Sequence, residues 1–396
     1  MINSKEIPVP DLLDATTEQR EAILADIVAL VEVESHSRDR ASLDTCRGHV
    51  EALAERLLGP SDERTLTPGG EQGDIVQLTF AGTGPGRVLA VSHYDTVWPT
   101  GTLADWPVRT VPGEDGGPVR LTGPGIFDMK SGLVQSLWAL RVLRDSGRPT
   151  PTVTFVFNGD EEIGSIASRT VIEAAARTVD AALVFEASQA GALKTGRKGI
   201  GIFTLTTVGV EAHAGLDPLA GASAVHAMAE VITQVTRIAD LSAGTSINVG
   251  LVSGGSGTNV AAGRATASVD IRVTGPDEMA RVDRAFDAIT VTDDRVVLTV
   301  DHNWNRPPMA LDATMQPLLE VVLAAGRELG REIDHTSVGG ASDANFIAGV
   351  GVPVICGFGA VGHGAHARHE YILPSEIAFQ TALAAATLAG LADGLD

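Results

Sequence analysis

Histidine and carboxylate side chains follow four short apolar segments of this sequence, each at the point where the segment ends. The segments are residues 88–92, 153–157, 181–185 and 352–356. The polar residues that follow them are, in order, His93 and Asp95, then Asp160, Glu161 and Glu162, then Glu186, and finally His363, His366 and His369. Imidazole and carboxylate groups without thiolates are typical of hydrolytic zinc sites. The pattern therefore predicts a hydrolytic metal centre.

A further carboxylate, Asp128, lies in the glycine-rich stretch 123–130, just before a helical pattern. A site with two metal ions holds them roughly 3.5–4 Å apart with one bridging carboxylate. It also needs a spare carboxylate near the attacking water as general base. Glu161 and Glu162 are neighbours and point in opposite directions if that segment is extended. One of them can therefore reach a metal ion while the other faces the water.

The elements that would position these residues alternate between strand and helix. Strand patterns at residues 75–80 and in the four apolar segments are accompanied by helical patterns at 131–144 and 168–176. This alternation predicts an α/β fold with a mostly parallel sheet that is covered by helices. Ligands of such sheets bind beyond the carboxyl ends of the strands, so we expect the candidate residues to share one cleft.

The pattern changes after Lys198 and changes back after Arg306. The intervening stretch has strand patterns at 200–208, 246–252, 265–273 and 295–300 and helical patterns at 222–238 and 276–288. Beyond it come a helix at 315–329, the strand at 352–356 and a last helix from residue 377. We therefore predict a discontinuous catalytic domain, residues 1–198 and 307–396, with a smaller inserted α+β domain at 199–306.

Two regions flank the first strands. Residues 16–31 are predicted to form one helix, with Thr16 and Gln19 as its capping box, and a second helix covers 46–58. Residues 98–124 are rich in Pro and Gly and are predicted to be a loop with one hairpin.

Composition excludes several classes of function. The net charge of −21 argues against nucleic acid and against an anionic membrane surface, since both would repel the chain. The first ten residues lack the pattern of a signal peptide, and no stretch of 18 apolar residues predicts a transmembrane helix. With only Cys46 and Cys356, the chain is not expected to have a disulfide framework, which favours a cytoplasmic location.

Six motifs, in order along residues 90–371, resemble those of the M20 family of metallopeptidases, most closely its carboxypeptidase G2-like (glutamate carboxypeptidase) branch. The motifs are SHYDTV from Ser92, GPGIFDMK from Gly123, NGDEEIG from Asn158, the single residue Glu186, GGASD from Gly339 and AHARHEY from Ala365. Each motif is short, but the ordered set is specific. The resemblance implies a catalytic α/β domain with two zinc ions, for which cobalt or manganese could substitute.

The resemblance also implies the role of each metal-site residue. It implies that one zinc ion is bound by His93, Asp128 and Glu186. It implies that the other is bound by Asp128, Glu162 and His366, so that Asp128 bridges the two ions. Glu161 is implied as the general base that acts on a metal-bridging water, and Asp95 as the residue that orients His93. His366 is favoured over His363 and His369 because the family has a Glu four residues after this ligand, here Glu370. The Asp128–Met129 peptide bond is expected to be cis.

The inserted domain resembles the lid and dimerisation domain of the family, which implies a homodimer. His213 matches a histidine that binds the oxyanion, often of the partner subunit's site. Asn259 and Arg272 match positions that bind the substrate's C-terminal carboxylate, and Arg306 is a further candidate. Lys194 matches a lysine that contacts the side chain of a C-terminal glutamate.

The sequence thus predicts a metallocarboxypeptidase that releases a C-terminal amino acid, with glutamate favoured, from a small N-acyl or peptidyl substrate. A deacylase acting on N-acetyl or N-succinyl amino acids would use the same metal ions and mechanism, so that alternative stays open. A non-catalytic peptide-binding homologue is disfavoured because Glu161 and all five metal positions are present. A zinc-stabilised structural protein is disfavoured because it would need a cysteine cluster.

Overall fold

The computed structural model describes residues 11–113 and 116–395. The chain forms two compact units. The first unit comprises the described residues of Met1–Thr195, Leu311–Thr336 and Ser342–Asp396, and the second comprises Gly196–Ala310 and Ser337–Ala341.

The described strands number seventeen: β1 Glu63–Thr67, β2 Gly73–Phe80, β3 Arg87–His93, β4 Arg109–Val111, β5 Arg120–Thr122, β6 Thr152–Gly159, β7 Ala181–Val184, β8 Leu193–Arg197, β9 Gly199–Val208, β10 Ser246–Gly254, β11 Arg264–Val273, β12 Val297–Asp301, β13 Trp304–Arg306, β14 His335–Val338, β15 Val354–Cys356, β16 Gly362–His363 and β17 Tyr371–Ile372. The described α-helices are α1 Leu12–Glu18, α2 Arg20–Val31, α3 Arg40–Leu58, α4 Thr102–Asp105, α5 Ser131–Asp145, α6 Arg169–Ala176, α7 Ala224–Val235, α8 Pro276–Asp287, α9 Gln316–Glu328, α10 Ala344–Gly349 and α11 Ile377–Gly390.

The first unit is built on an eight-stranded sheet with the order β1-β2-β6-β3-β7-β15-β8-β14. The four central strands, β6, β3, β7 and β15, are parallel, whereas β1, β2 and β8 pair in the antiparallel sense. The predicted α/β fold is confirmed, with its parallel pairing confined to the centre of the sheet. All four central strands are almost wholly buried, which explains why each reads as a continuous apolar run.

Helix α5 lies at the centre of the helical layer, and twelve of its fifteen residues are buried. It packs against α11, α3, α2 and α1. Gly132, in its first turn, lies against the end of β7, because a Cβ atom there would lie only 1.8 Å from the carbonyl oxygen of Phe185. Only glycine permits this approach, which brings the residues preceding α5 to the edge of the sheet where β7 ends.

The N-terminal region differs from its prediction. The single helix expected at 16–31 starts earlier and is divided at Gln19 into α1 and α2. Thr16 is inside α1 and donates its hydroxyl to the carbonyls of Leu12 and Leu13, both at 3.0 Å, so the capping box is wrong. The helix expected at 46–58 begins instead at Arg40, where the Asp39 carboxylate caps it by accepting backbone amides.

The glycine-rich loop at 98–124 contains the expected hairpin, formed by β4 and β5. This hairpin joins β17 and β16 in a separate four-stranded sheet, in which Tyr371 pairs with Thr122. The loop that carries His366 is thereby attached to the stretch that precedes Asp128.

The second unit is an antiparallel sheet with the order β10-β11-β9-β12, and β13 also pairs with β9. Strand β9 buries every second residue, and the residues between them are half-buried or exposed. Helices α7 and α8 cover one face, and their apolar residues pack with Phe203 and Leu205 of β9. None of the described helices is both long and apolar enough to span a membrane.

Candidate metal centre

The carboxyl ends of the four parallel strands bring the predicted ligands of the first unit together. His93 is the last residue of β3, and Glu161 and Glu162 form a short 3₁₀ turn just after β6. Glu186 follows β7, and His366 lies beyond β15, in the loop between β16 and β17. His93, Glu161 and Glu186 are at most 8% exposed. The strand ends therefore bring together a buried imidazole and two buried acids, whereas His366 is exposed.

Asp128 lies between two parts of this group and faces each with a different oxygen. Its Oδ1 is 3.3 Å from Nε2 of His93, and its Oδ2 is 3.4 Å from Nε2 of His366. Glu186 Oε1 is 3.8 Å from the same nitrogen of His93, and Glu162 Oε2 is 2.9 Å from that of His366. This is the arrangement expected of a carboxylate that bridges two cations.

Two overlapping sets of ligand atoms lie within 4.8 Å of one another: His93, Asp128 and Glu162, and His93, Glu161 and Glu186. In the second set Glu161 accompanies His93 and Glu186, whereas the sequence analysis has Asp128 as the third ligand with these two residues. Glu161 therefore lies as close to this position as a ligand would, although its predicted role is that of a base.

Two buried atoms of the group have no hydrogen-bond partner among the described residues, Nε2 of His93 and Oε1 of Glu162. A buried polar atom left without a partner is destabilising, and so are several carboxylates packed together. A divalent cation would satisfy both atoms and offset the repulsion. The donor set of nitrogen and carboxylate oxygen fits zinc.

The pKa values of these groups also indicate that a positive charge would stabilise the site. Burial raises the pKa of Glu162 to about 7, and the nearby Asp128 carboxylate adds to this effect. Hydrogen bonds to Asp128 and Glu162 raise the pKa of His366 to about 11. Burial alone would raise the pKa of Asp128, but His366 and His93 lower it on balance. The carboxylates thus favour a cation at this position.

Asp95 connects the end of β3 to the acidic turn. Its two oxygens accept the backbone amides of Glu161 and Glu162, each at 3.2 Å, and Oδ1 is 3.3 Å from Nδ1 of His93. Ser37 donates its hydroxyl to the same carboxylate at 2.7 Å, and both side chains are buried. Ser37 was missed by the sequence analysis, because nothing in a serine 58 residues away signals this contact.

A second buried carboxylate fixes the other side of the turn. Asp343 accepts hydrogen bonds from the Asn158 amide at 2.9 Å and from the Ser165 hydroxyl. Asp160 accepts the backbone amides of Ala167 and Ser168, which closes the loop after the turn. The GGASD motif, which includes Asp343, had no assigned role, and this contact supplies one.

Glu370 holds the segment that contains Asp128. Its Oε1 accepts the amides of Phe127 and Asp128, at 2.8 and 3.1 Å. Its Oε2 accepts the Gly125 amide and the indole N–H of Trp98, at 3.1 and 3.0 Å. Burial raises the pKa of this carboxyl to about 7. The peptide bond between Asp128 and Met129 is cis, as the sequence predicted.

Comparison with known proteins identifies the family of the chain. The family model described as peptidase family M20/M25/M40 matches residues 89–390. This chain belongs to that family. It is 28% identical to carboxypeptidase G2 of Pseudomonas sp. (strain RS-16) over 394 residues, covering 97% of this chain and 92% of the relative. It is 30% identical to succinyl-diaminopimelate desuccinylase of Rhodospirillum centenum over 373 residues, covering 87% and 90%.

The fold of the M20 chain also matches solved structures. Aminopeptidase PepT of Bacillus cereus superposes with a TM-score of 0.76 at 24% identity, covering 94% of this chain and 99% of PepT. The family match and the sequence relatives confirm the predicted family and the predicted hydrolase activity. This M20 chain is a metal-dependent hydrolase of the carboxypeptidase or acyl-amino-acid desuccinylase type.

The remaining predicted site residues of this M20 chain are distributed over both units. Lys194 is in β8 of the first unit, where it is half-buried and pairs with Cys356. In the second unit, His213 and Asn259 are exposed. Arg272 makes a two-pronged hydrogen bond to Asp270, with both distances 2.9 Å. Arg306 is only 6% exposed, so it is not a surface residue.

Proposed function

We propose that this chain is a dinuclear zinc hydrolase that cleaves an amide bond and releases a C-terminal amino acid from N-acyl or peptidyl substrates. Glutamate is the proposed released residue. The observation that carries the proposal is the position of Asp128, whose two oxygens face His93 on one side and His366 on the other. A buried carboxylate, Glu161, lies beside them and is the proposed base.

When bound, the zinc ions would polarise the scissile carbonyl and acidify a water molecule. Glu161 accepts a proton from the attacking water while the oxygen of that water bonds to the carbonyl carbon. The same carboxyl then gives that proton to the amine nitrogen as the carbon–nitrogen bond breaks. Asp95 accepts the amides of Glu161 and Glu162 and so fixes the base relative to the neighbouring ligand.

The substrate's carboxylates are assigned to cationic and amide side chains. Arg272 and Asn259 bind the C-terminal carboxylate, and Arg306 is a further candidate. Asp270 engages Nε and Nη2 of Arg272 and holds the guanidinium in place, and Nη1 makes no hydrogen bond to the described residues, so Nη1 is the group proposed to donate to the substrate carboxylate. Lys194 binds the side chain of a released glutamate. The identity of 28% to carboxypeptidase G2 over nearly the whole chain supports this substrate class.

A desuccinylase acting on N-succinyl amino acids is the second candidate function. It is favoured by the 30% identity to succinyl-diaminopimelate desuccinylase. The metal centre and the role of Glu161 are the same in both proposals, so only the substrate distinguishes them.

Release of free amino acid from a substrate panel tests the proposal. N-acyl amino acids and dipeptides ending in Glu, Asp, Ala, Phe and Lys are compared, with a chelated sample alongside. We expect chelator-sensitive release, with Glu fastest. Faster release of another residue would support the hydrolase activity but contradict the preference for glutamate and the role of Lys194. No release from any substrate by protein carrying two metal ions would overturn the proposed function.

We also propose that the second unit forms a homodimer and that its His213 binds the oxyanion in the partner subunit's site. Strand β10 supports the dimer, because it lies at one edge of its sheet and exposes Leu251 and Val252. Nδ1 of His213 accepts the amides of Gly215 and Leu216, both at 3.1 Å. The neutral ring therefore carries its proton on Nε2, which can donate to an oxyanion.

A mixed dimer of His213→Ala and Glu161→Gln subunits tests this arrangement. If His213 acts across the dimer, one of the two sites is intact and about half of the wild-type activity returns. If each His213 serves its own subunit, both sites are defective and the mixture remains as inactive as the variants alone. Rates are measured on heterodimers purified with two affinity tags. His226→Ala, an exposed histidine on α7, is the matched control and should retain activity.

A further inference from the structure

Arg368 lies on the tight turn between the proposed metal ligand His366 and Glu370. The turn is closed by two backbone hydrogen bonds of 2.9 Å, from Ala367 to Gly364 and from Glu370 to Ala367. The pairing of β17 with β5 continues directly from it. Arg368 is therefore an exposed cation on a well-ordered segment of the first unit, two residues from His366.

Two tryptophans hold the guanidinium of Arg368 in place. Its Cζ is 5.5 Å from the ring centroid of Trp98 and 5.9 Å from that of Trp106. The indoles meet edge to face, with centroids 5.0 Å apart, and each is anchored by its N–H, Trp98 to Glu370 and Trp106 to Thr122. Contact with ring faces orders an arginine without neutralising its charge, so its N–H groups remain available for another partner.

Two other stacked arginines of the first unit differ in this respect. Arg331 lies over Phe379 at 3.7 Å but pairs with Glu376 at 2.7 Å. Arg169 lies over Phe346 and bonds to Glu173. Within residues 11–113 and 116–395, no carboxylate forms an ion pair with Arg368, although the chain has 50 acidic residues and a net charge of −21. An unpaired cation that stacks on two indoles, two residues from the proposed metal ligand His366 in so acidic a chain, is suited to bind an anionic ligand.

We infer that Arg368 is a specificity-determining residue that binds a second carboxylate of the substrate, distinct from the C-terminal carboxylate assigned to Arg272 and Asn259. The inference rests on the proposed function and deepens it. The planar fork of arginine pairs with a carboxylate through two hydrogen bonds. The second carboxylate belongs either to a dicarboxylic acyl group or to the side chain of the released amino acid, which Arg368 would then bind together with Lys194.

Two substrate pairs distinguish these sources. N-succinyl-alanine and its neutral analogue N-succinamoyl-alanine differ only on the acyl side, and N-acetyl-glutamate and N-acetyl-glutamine differ only on the amine side. For one pair, the ratio of kcat/KM for the anionic over the neutral substrate is expected to fall about tenfold in Arg368→Gln, because a hydrogen-bonded charge pair is lost. Arg368→Lys keeps the charge but loses the fork, so its ratio should lie between those of the wild type and Arg368→Gln. The Arg331→Gln control should leave both ratios unchanged.

Binding of the same four compounds to the Glu161→Gln protein, measured by calorimetry, gives a readout that does not depend on turnover. The inference predicts that Arg368→Gln weakens binding of one anionic compound selectively. Unchanged ratios and affinities for both pairs would overturn it, and equal losses for anionic and neutral compounds would indicate a merely structural role and overturn it as well. Failure of the proposed function would look different, because wild-type protein would then hydrolyse no member of either pair.

Discussion

Replacing Glu161 by glutamine is expected to lower kcat by about a hundredfold to ten-thousandfold while the protein keeps its metal ions. The amide has nearly the shape of the carboxylate but cannot accept the proton of the attacking water. The Asp95 contacts to the turn involve the backbone amides of Glu161 and Glu162, so they survive the change. Initial rates and metal content by elemental analysis measure the two effects on one preparation.

The neighbouring substitution Glu162→Gln provides the matched comparison. Glu162 Oε2 is 2.9 Å from Nε2 of His366, and its other oxygen is buried without a hydrogen bond. This variant should therefore bind the ion near His366 more weakly, and added zinc should restore part of its activity. Glu63→Gln, at the exposed start of β1, controls for the loss of a charge.

The outcome that would contradict this division of roles is specific. Glu161 lies within ligand distance of His93 and Glu186. If Glu161→Gln loses metal and Glu162→Gln does not, then Glu161 is a ligand and the base must be another group. Near-normal activity of Glu161→Gln would exclude it as the base.

The sequence contained enough to locate the centre because the same physical rule fixes both the strands and their ends. Buried parallel strands must be apolar along their whole length, so a polar residue marks the point at which each strand leaves the sheet. For His93 and Glu186 this marker is also the candidate ligand. The choice of His366 needed the resemblance, since local pattern does not separate it from His363 and His369.

The supporting contacts could not be predicted in the same way. Ser37 reaches Asp95 because the segment after α2 runs beside Thr96, and no periodicity records a contact between residues so distant in sequence. The division at Gln19 was missed for a related reason. Buried residues lie on both sides of it, Leu12 and Thr16 before and Ile23 and Ile27 after, so the helical pattern runs through the break.

Removing the metal ions is expected to lower the melting temperature, because the first unit buries several carboxylates at one place. A ligand present at a hundred times its Kd stabilises the folded state by about 2.7 kcal/mol. For a unit of about 280 residues, that corresponds to about 5 °C in Tm for each ion. Thermal unfolding followed by circular dichroism, with chelator and after zinc is restored, measures the shift.

Variants at the bridging and terminal ligands show whether the shift comes from this centre. Asp128→Asn should lose most of it, because the proposed site has both ions share that carboxylate, and His366→Ala should lose about one ion's contribution. His369→Ala is the matched control, since His369 stacks on His363 with centroids 5.8 Å apart and is not among the residues grouped around Asp128. If zinc raises the Tm of Asp128→Asn as much as that of the wild type, the ions bind elsewhere. Loss of the shift in His369→Ala alone would assign the ligand of the second ion to that histidine and contradict the choice of His366.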